Sequence, residues 1–121
     1  MSIIKEVEGV EICGACKNIV ALAAGLIDAL KLCNNTKATI MRIGLEEIRL
    51  FTKIFFREVN KRIYFESCGI ADLIVTCFAG RNRKVAEAFV TRRKSIDELE
   101  AEILKGQKLQ GVDTAKQVYK I

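Results

Sequence analysis

The stretch from Glu8 to Leu32 constrains this chain most. Its charges are confined to Glu8, Glu11, Lys17, Asp28 and Lys31, and the rest is mainly aliphatic or small. So sparse a charge pattern reads as one long helix, buried nearly all round. A chain of 121 residues built on such a helix has room for one domain, spanning 1–121, that buries about two thirds of its unfolded surface. The most apolar run, Ile19 to Ile27, is too short to span a bilayer, and Asp28 and Lys31 close it. Lys5, Glu6, Glu8 and Glu11 interrupt the start, so no signal peptide is read there. The expectation is a soluble, cytoplasmic chain with no membrane partner.

The remainder continues the helical pattern. Asn34-Asn35-Thr36 is expected to stop the first helix and cap a second over about 36–57. That second helix has apolar positions Ile40, Ile43, Gly44, Ile48, Phe51, Ile54 and Phe55 at three- and four-residue steps. Residues 58–63 read as a polar turn, and 64–79 as helical with a break near Gly69. A fresh helix begins near Arg81 or Asn82 and runs to about Arg92. Ser95-Ile96-Asp97-Glu98 is a capping box for a helix expected to end at Gly106. Asp113 or Thr114 is expected to cap a last helix that runs to Ile121 without a closing signal, which looks like truncation. Proline is absent and no strand alternates convincingly, so the fold class is all-α, a helical bundle.

Composition narrows the chemistry. Histidine is absent, which removes His-based triads and His-containing zinc sites. Acid/base work falls to Lys, Asp, Glu, Tyr or Cys. The net charge of +5 is concentrated in Arg81, Arg83 and Lys84 and in Arg92, Arg93 and Lys94. Such clusters suit a solvated face, a small phosphate or a nucleic-acid backbone. Half the residues are apolar, which fits either a dense helical core or apolar surface that meets a partner. The five cysteines are an odd number, and reduced thiols are the default.

Cys13-Gly14-Ala15-Cys16 is a CxxC motif. Redox use needs an exposed helix N-terminus, and these thiols lie within an apolar helix. A structural zinc needs a second ligand pair, and Cys33, Cys68 and Cys77 are not spaced as one. Both cysteines read as small core residues. Lys17 is the odder residue. It is the only cation between Lys5 and Lys31, with Cys13, Gly14, Val20 and Ala21 three and four residues away. It is expected to be largely desolvated and so available as an acid or base near neutral pH, or else to snorkel outward. Asp72 stands alone among apolar residues and needs a cation or several donors, with Lys17 the obvious candidate and a cap near Gly69 the alternative. Gly80-Arg81-Asn82-Arg83-Lys84 opens a helix, where free N–H groups and an arginine fork can hold an anion. Gly106-Gln107-Lys108-Leu109-Gln110-Gly111 is a glycine-bracketed polar loop, and no GxGxxG occurs anywhere.

The segments EICGACKNIVALAAGLIDAL, NNTKATIMRIGLEEI, ESCGIADLIVTCFAGRNRKVAEAF and GQKLQG resemble the C-terminal domain of cytosolic, eukaryotic-type NAD-dependent glycerol-3-phosphate dehydrogenase, from about Glu6 to Ile121. The resemblance implies a helical substrate domain of the 6-phosphogluconate dehydrogenase-like superfamily. It implies reversible hydride transfer between NADH and dihydroxyacetone phosphate, giving sn-glycerol 3-phosphate. Lys17 would be the catalytic lysine at the C2 oxygen, supported by Asn18 and Asp72. Asn18 and Thr76 would lie in the substrate pocket, and Arg81 and Asn82 would bind the phosphate. Arg81, Lys108 and Gln110 would reach the NAD, and no metal is implied. The family commonly carries a leucine-like residue at the position of Cys16, which makes the CxxC incidental. It also implies a homodimer, an N-terminal Rossmann domain and further C-terminal helices that this chain lacks, so the chain reads as a fragment. The alternative is a stand-alone helical module that binds nucleic acid or another anion.

Overall fold

In a computed structural model the described residues are 7–56 and 59–121, and among them there are helices and no strands. Six α-helices succeed one another: α1 (Val7–Ala29), α2 (Asn34–Phe55), α3 (Asp72–Ala79), α4 (Arg81–Arg92), α5 (Ile96–Ile103) and α6 (Gln110–Tyr119). A 3₁₀ turn at Lys61–Phe65 and a π-helical turn at Ser67–Ala71 lead into α3. The π turn falls where a break near Gly69 was expected. Of the turn expected at 58–63, Lys61 to Ile63 belong to the 3₁₀ segment. Residues 57 and 58, where the second helix was expected to end and the turn to begin, lie outside the described residues.

The long apolar helix is the hub. α2, α3, α4 and α6 all pack on α1. By length and composition alone α1 is long and apolar enough to cross a membrane, since the whole helix is longer than its most apolar run. Cys13, Cys16, Val20, Ala21 and Ala24 of α1 meet Met41, Ile48, Leu73 and Cys77 in one core, and Val85, Leu99, Leu104 and Leu109 form a second. Small residues let α4 come close: a Cβ added at Gly25 would stand 2.2 Å from the Arg83 carbonyl oxygen.

The end of α1 and the start of α2 differ from the expected boundaries. α1 stops at Ala29, short of Leu32. Lys31 takes a left-handed φ of 54°. Its N–H then bonds the Asp28 carbonyl at 3.1 Å, and the Leu32 N–H bonds the Ile27 carbonyl at 3.2 Å. This is a Schellman closure built on lysine where glycine or asparagine is usual. The N-cap of α2 is Cys33, one residue before the asparagines, and its side chain makes no capping bond.

The apolar stripe expected on α2 is only partly turned inward. Lys37, Met41, Ile48 and Thr52 form the buried row, while Ile43, Ile54 and Phe55 are exposed. Between α1, α2 and the end of α6 lies a cavity of about 320 Å³ walled by Ile19, Ala23, Ile43, Phe51 and Val118. The capping box at Ser95 forms as expected, with Glu98 N–H to Ser95 Oγ at 3.2 Å and Ser95 N–H to Glu98 Oε2 at 3.0 Å. Its helix ends at Ile103, before Gly106.

Candidate functional site

Residues from α3, α4 and the start of α6 meet two consecutive residues of α1, Lys17 and Asn18. The Lys17 ammonium is ion-paired with the Asp72 carboxylate across the α1–α3 contact. Their side chains are 22% and 38% exposed, so Lys17 is less desolvated than its apolar neighbours suggested. Asp72 is the first residue of α3, which continues directly from the π-helical turn. The Thr76 hydroxyl donates to the Asp72 carbonyl at 2.6 Å, which places it one helical turn beyond the ion pair.

Beside this pair is a buried amide cluster. Asn18 and Asn82 are 7% and 6% exposed. The Asn82 Nδ2 donates to Asn18 Oδ1 at 3.0 Å, and Asn82 Oδ1 accepts the Gly111 N–H at 2.9 Å. Asn18 Nδ2 in turn donates to the Gly14 carbonyl at 3.3 Å and reaches Gln110 Oε1 at 3.5 Å. The amide of Asn18 therefore ties α1 to α4 and α6.

The same cluster explains the start of α6. That helix begins at Gln110, three residues before Asp113, and its N-cap Leu109 makes no side-chain capping bond. Asn82, reaching across from α4, satisfies an N–H in the first turn that a local cap would otherwise take. Gly111 permits the approach, because a Cβ there would lie 2.6 Å from Asn82 Oδ1.

Arg81 is exposed at the start of α4 and its Nη1 donates to Gln107 Oε1 at 2.6 Å. Gln107 was not singled out from the sequence beyond its place in the polar loop. The Lys108 side chain is 74% exposed, and its ammonium lies 3.3 Å from Glu100, away from the amide cluster.

Other polar residues serve packing. Lys37 is 5% exposed, pairs with Asp28 at 2.8 Å and stands 4.2 Å from the Phe78 ring centroid. Arg83 joins the same Asp28 at 2.9 Å and Glu87 at 2.8 Å. No sequence signal marked Lys37, one lysine near the start of a polar helix. In the second basic cluster, Arg92 and Lys94 are both paired with Glu102. The CxxC thiols are core. Burial pushes Cys13 up to about 11, and also raises Cys16. Among the described residues no group of His, Cys, Asp and Glu could hold a metal ion.

Residues 6–121 match the family described as NAD-dependent glycerol-3-phosphate dehydrogenase C-terminus. The chain is 60% identical over its whole length to a glycerol-3-phosphate dehydrogenase [NAD(+)] of Cuphea lanceolata, of which it covers 33%. It is 54% identical to the cytoplasmic form of Drosophila ezoana, matching over 96% of this chain and 33% of that protein. A relative of Arabidopsis thaliana named chloroplastic also matches, at 58% identity. The chain spans about one third of the length of the curated relatives it matches. A solved structure of the Dunaliella salina enzyme superimposes with a TM-score of 0.94 at 46% identity, covering 98% of this chain and 23% of that one. The chain belongs to the NAD-dependent glycerol-3-phosphate dehydrogenase C-terminal family.

Proposed function

We propose that this chain is the substrate-binding and proton-transfer part of an oxidoreductase that interconverts dihydroxyacetone phosphate and sn-glycerol 3-phosphate. The observation that carries this reading is the Lys17–Asp72 pair, a lysine held by a carboxylate at the edge of an apolar helix and still open to solvent. NAD, when bound, supplies the hydride acceptor or donor. Lys17 gives a proton to the C2 oxygen as dihydroxyacetone phosphate is reduced, and takes it back in the reverse direction. Asp72 keeps the ammonium in place between turnovers. Thr76, on the same face of α3, lines the substrate pocket.

Arg81 and the start of α4 take the phosphate. The Asn82 side chain is already committed to Asn18 and Gly111, so its contribution to the phosphate is its backbone N–H. The first N–H groups of a helix have no partner within it and suit an anion. Arg81 leaves Gln107 to do so, exchanging a neutral amide for a dianion that its fork fits better.

The fit to the cofactor is partial. Arg81, Lys108 and Gln110 can edge a dinucleotide, but the chain has no GxGxxG to cradle the pyrophosphate. The reading therefore needs a Rossmann domain as partner. It also carries a homodimer, supported by the apolar residues left exposed on α2 and α3, and a cytoplasmic location, supported by the relatives named cytoplasmic.

The test is a protein that joins this chain to the other two thirds of the Cuphea lanceolata relative. Lys17→Ala in that protein is expected to slow NADH oxidation with dihydroxyacetone phosphate by about 10²–10⁴-fold. NADH binding, followed by fluorescence, should be nearly unchanged. Turnover at the parent rate would refute the role given to Lys17.

A further inference from the structure

We infer that Glu100 is a positioning residue: its carboxylate and its carbonyl together set the path of the loop from Leu104 to Leu109, and through it the docking of α6 on Asn18 and Asn82. The inference rests on the dehydrogenase reading, which puts ligand contacts on this loop.

Glu100 lies on α5, away from the Lys17 site, and is only 8% exposed. Buried carboxylates are rare unless every oxygen has a partner. Here Oε1 accepts the Leu109 N–H at 3.0 Å and Oε2 faces the Lys108 ammonium at 3.3 Å. The backbone carbonyl of the same residue accepts the N–H groups of Leu104 and Gly106, each at 3.0 Å. One residue thus holds both ends of the loop. Between those ends Lys105 and Gly106 take positive φ values of 53° and 84°, so the chain reverses sharply and must be caught again.

The point of capture fixes where α6 begins. Leu109 is 1% exposed, locked in the second core, and is the N-cap of α6. Two residues later the Gly111 N–H meets Asn82 Oδ1 at 2.9 Å. A Cβ on Gly111 would stand 2.7 Å from the Asn18 carbonyl oxygen, so the fit has no slack. Asn18 is the neighbour of Lys17 in the chain. Release of the Leu109 N–H would let the helix start drift, and both the Gln110 and Gly111 contacts would loosen with it.

The charged groups around the carboxylate are few. Lys108 from the loop, Lys116 and Asp113 from α6, and Asp97 from its own helix border the same cavity of about 430 Å³. The Leu109 N–H holds the Glu100 carboxyl below its ordinary value. Burial opposes that shift, and Lys108 and Lys116 add to it.

The experiment is amide NMR with hydrogen exchange on the 121-residue chain and its Glu100→Ala and Glu100→Gln variants. In Glu100→Ala, exchange at Leu109 and Gly111 should accelerate by about tenfold or more, as expected for loss of a charge-assisted hydrogen bond. Central amides of α1 should change far less. Glu100→Gln keeps an acceptor and should restore most of the protection at Gly111. In the parent chain the Leu109 amide shift should titrate with a midpoint below the ordinary 4.5 of a glutamate, and this titration should vanish in Glu100→Gln. Uniform acceleration across the chain, or no change at Leu109 and Gly111, would overturn the inference. If Glu100→Ala does not fold, a Leu109 shift that titrates equally in the parent and Glu100→Gln overturns it as well. Added inorganic phosphate should move the Arg81 and Asn82 amides. A parent chain that fails only that arm counts against the dehydrogenase reading and leaves the role of Glu100 standing.

Discussion

The Lys17 ammonium rests on Asp72 with about a fifth of its side chain open to solvent. A proton donor needs that combination of a fixed position and access to its partner. The buried cysteines of α1 and α3 are placed for the opposite behaviour. Burial raises Cys13 and Cys77 to about 11, so neither is appreciably thiolate near neutral pH. Cys33 is exposed at the start of α2, and its bond with the Thr36 hydroxyl lowers its value. Iodoacetamide at neutral pH is therefore expected to modify Cys33 well before Cys13, Cys16 or Cys77, by peptide mass mapping over time. Early labelling of Cys13 and Cys16 would mean that the CxxC is accessible and reactive after all.

At the scale of elements, the contact between α1 and α4 brings the start of α4 against Asn18, the chain neighbour of the lysine. It depends on Gly25, whose position leaves no room for a methyl group against the Arg83 carbonyl. Gly25→Ala raises helix propensity but forces the two backbones apart. It is expected to destabilise by about 1–3 kcal/mol, the usual cost of overpacking. Ser95→Ala removes the capping box of α5 and should cost about 1 kcal/mol. Urea unfolding of the two variants checks both. A Gly25→Ala chain at least as stable as the parent would show that helix propensity outweighs the contact.

At the scale of the whole molecule, Asp28 ties three helices by accepting from Lys37 of α2 and Arg83 of α4 at the end of α1. Burial pushes its carboxyl up, but the hydrogen bonds and charges of Lys37 and Arg83 outweigh burial and leave it below the ordinary 3.8. A carboxyl lowered in the folded state stabilises fully above its unfolded value, and that stability is lost as pH falls through the folded value. Parent stability should therefore decline as pH drops below about 4, and Asp28→Asn should flatten that part of the curve while lowering stability near neutral pH. Urea midpoints measured between about pH 5 and pH 2 test this, and identical curve shapes would remove Asp28 from the account. The 121-residue chain by itself is expected to oxidise no NADH with dihydroxyacetone phosphate. Hydride transfer needs the reacting atoms held about 3–3.5 Å apart, and this chain has no GxGxxG to cradle a dinucleotide. Its exposed Phe65, Ile74, Val75 and Phe78 should also make it self-associate, visible by sedimentation. Clear NADH oxidation by the purified chain would contradict the need for a separate cofactor domain.

Ser95 and Glu98 lie within one turn of each other, so their capping box was legible in the sequence. The start of α4 after Gly80 was legible too, as was the oddity of a single lysine in an apolar helix. Each depends on neighbours in the chain, and residue order determines those. The start of α6 was not legible, because the side chain that satisfies its first turn comes from Asn82, 29 residues earlier. Nor was the end of α1, where Lys31 carries a left-handed turn that its side chain does not advertise. The burial of Lys37 and Glu100 was equally hidden, since a polar residue can be enclosed only once its partners are in place. Local pattern determined which segments become helices and which charges stand out of place. Only the packing of those helices, set by close approaches such as Gly25 on α4, decided which buried polar group meets which partner.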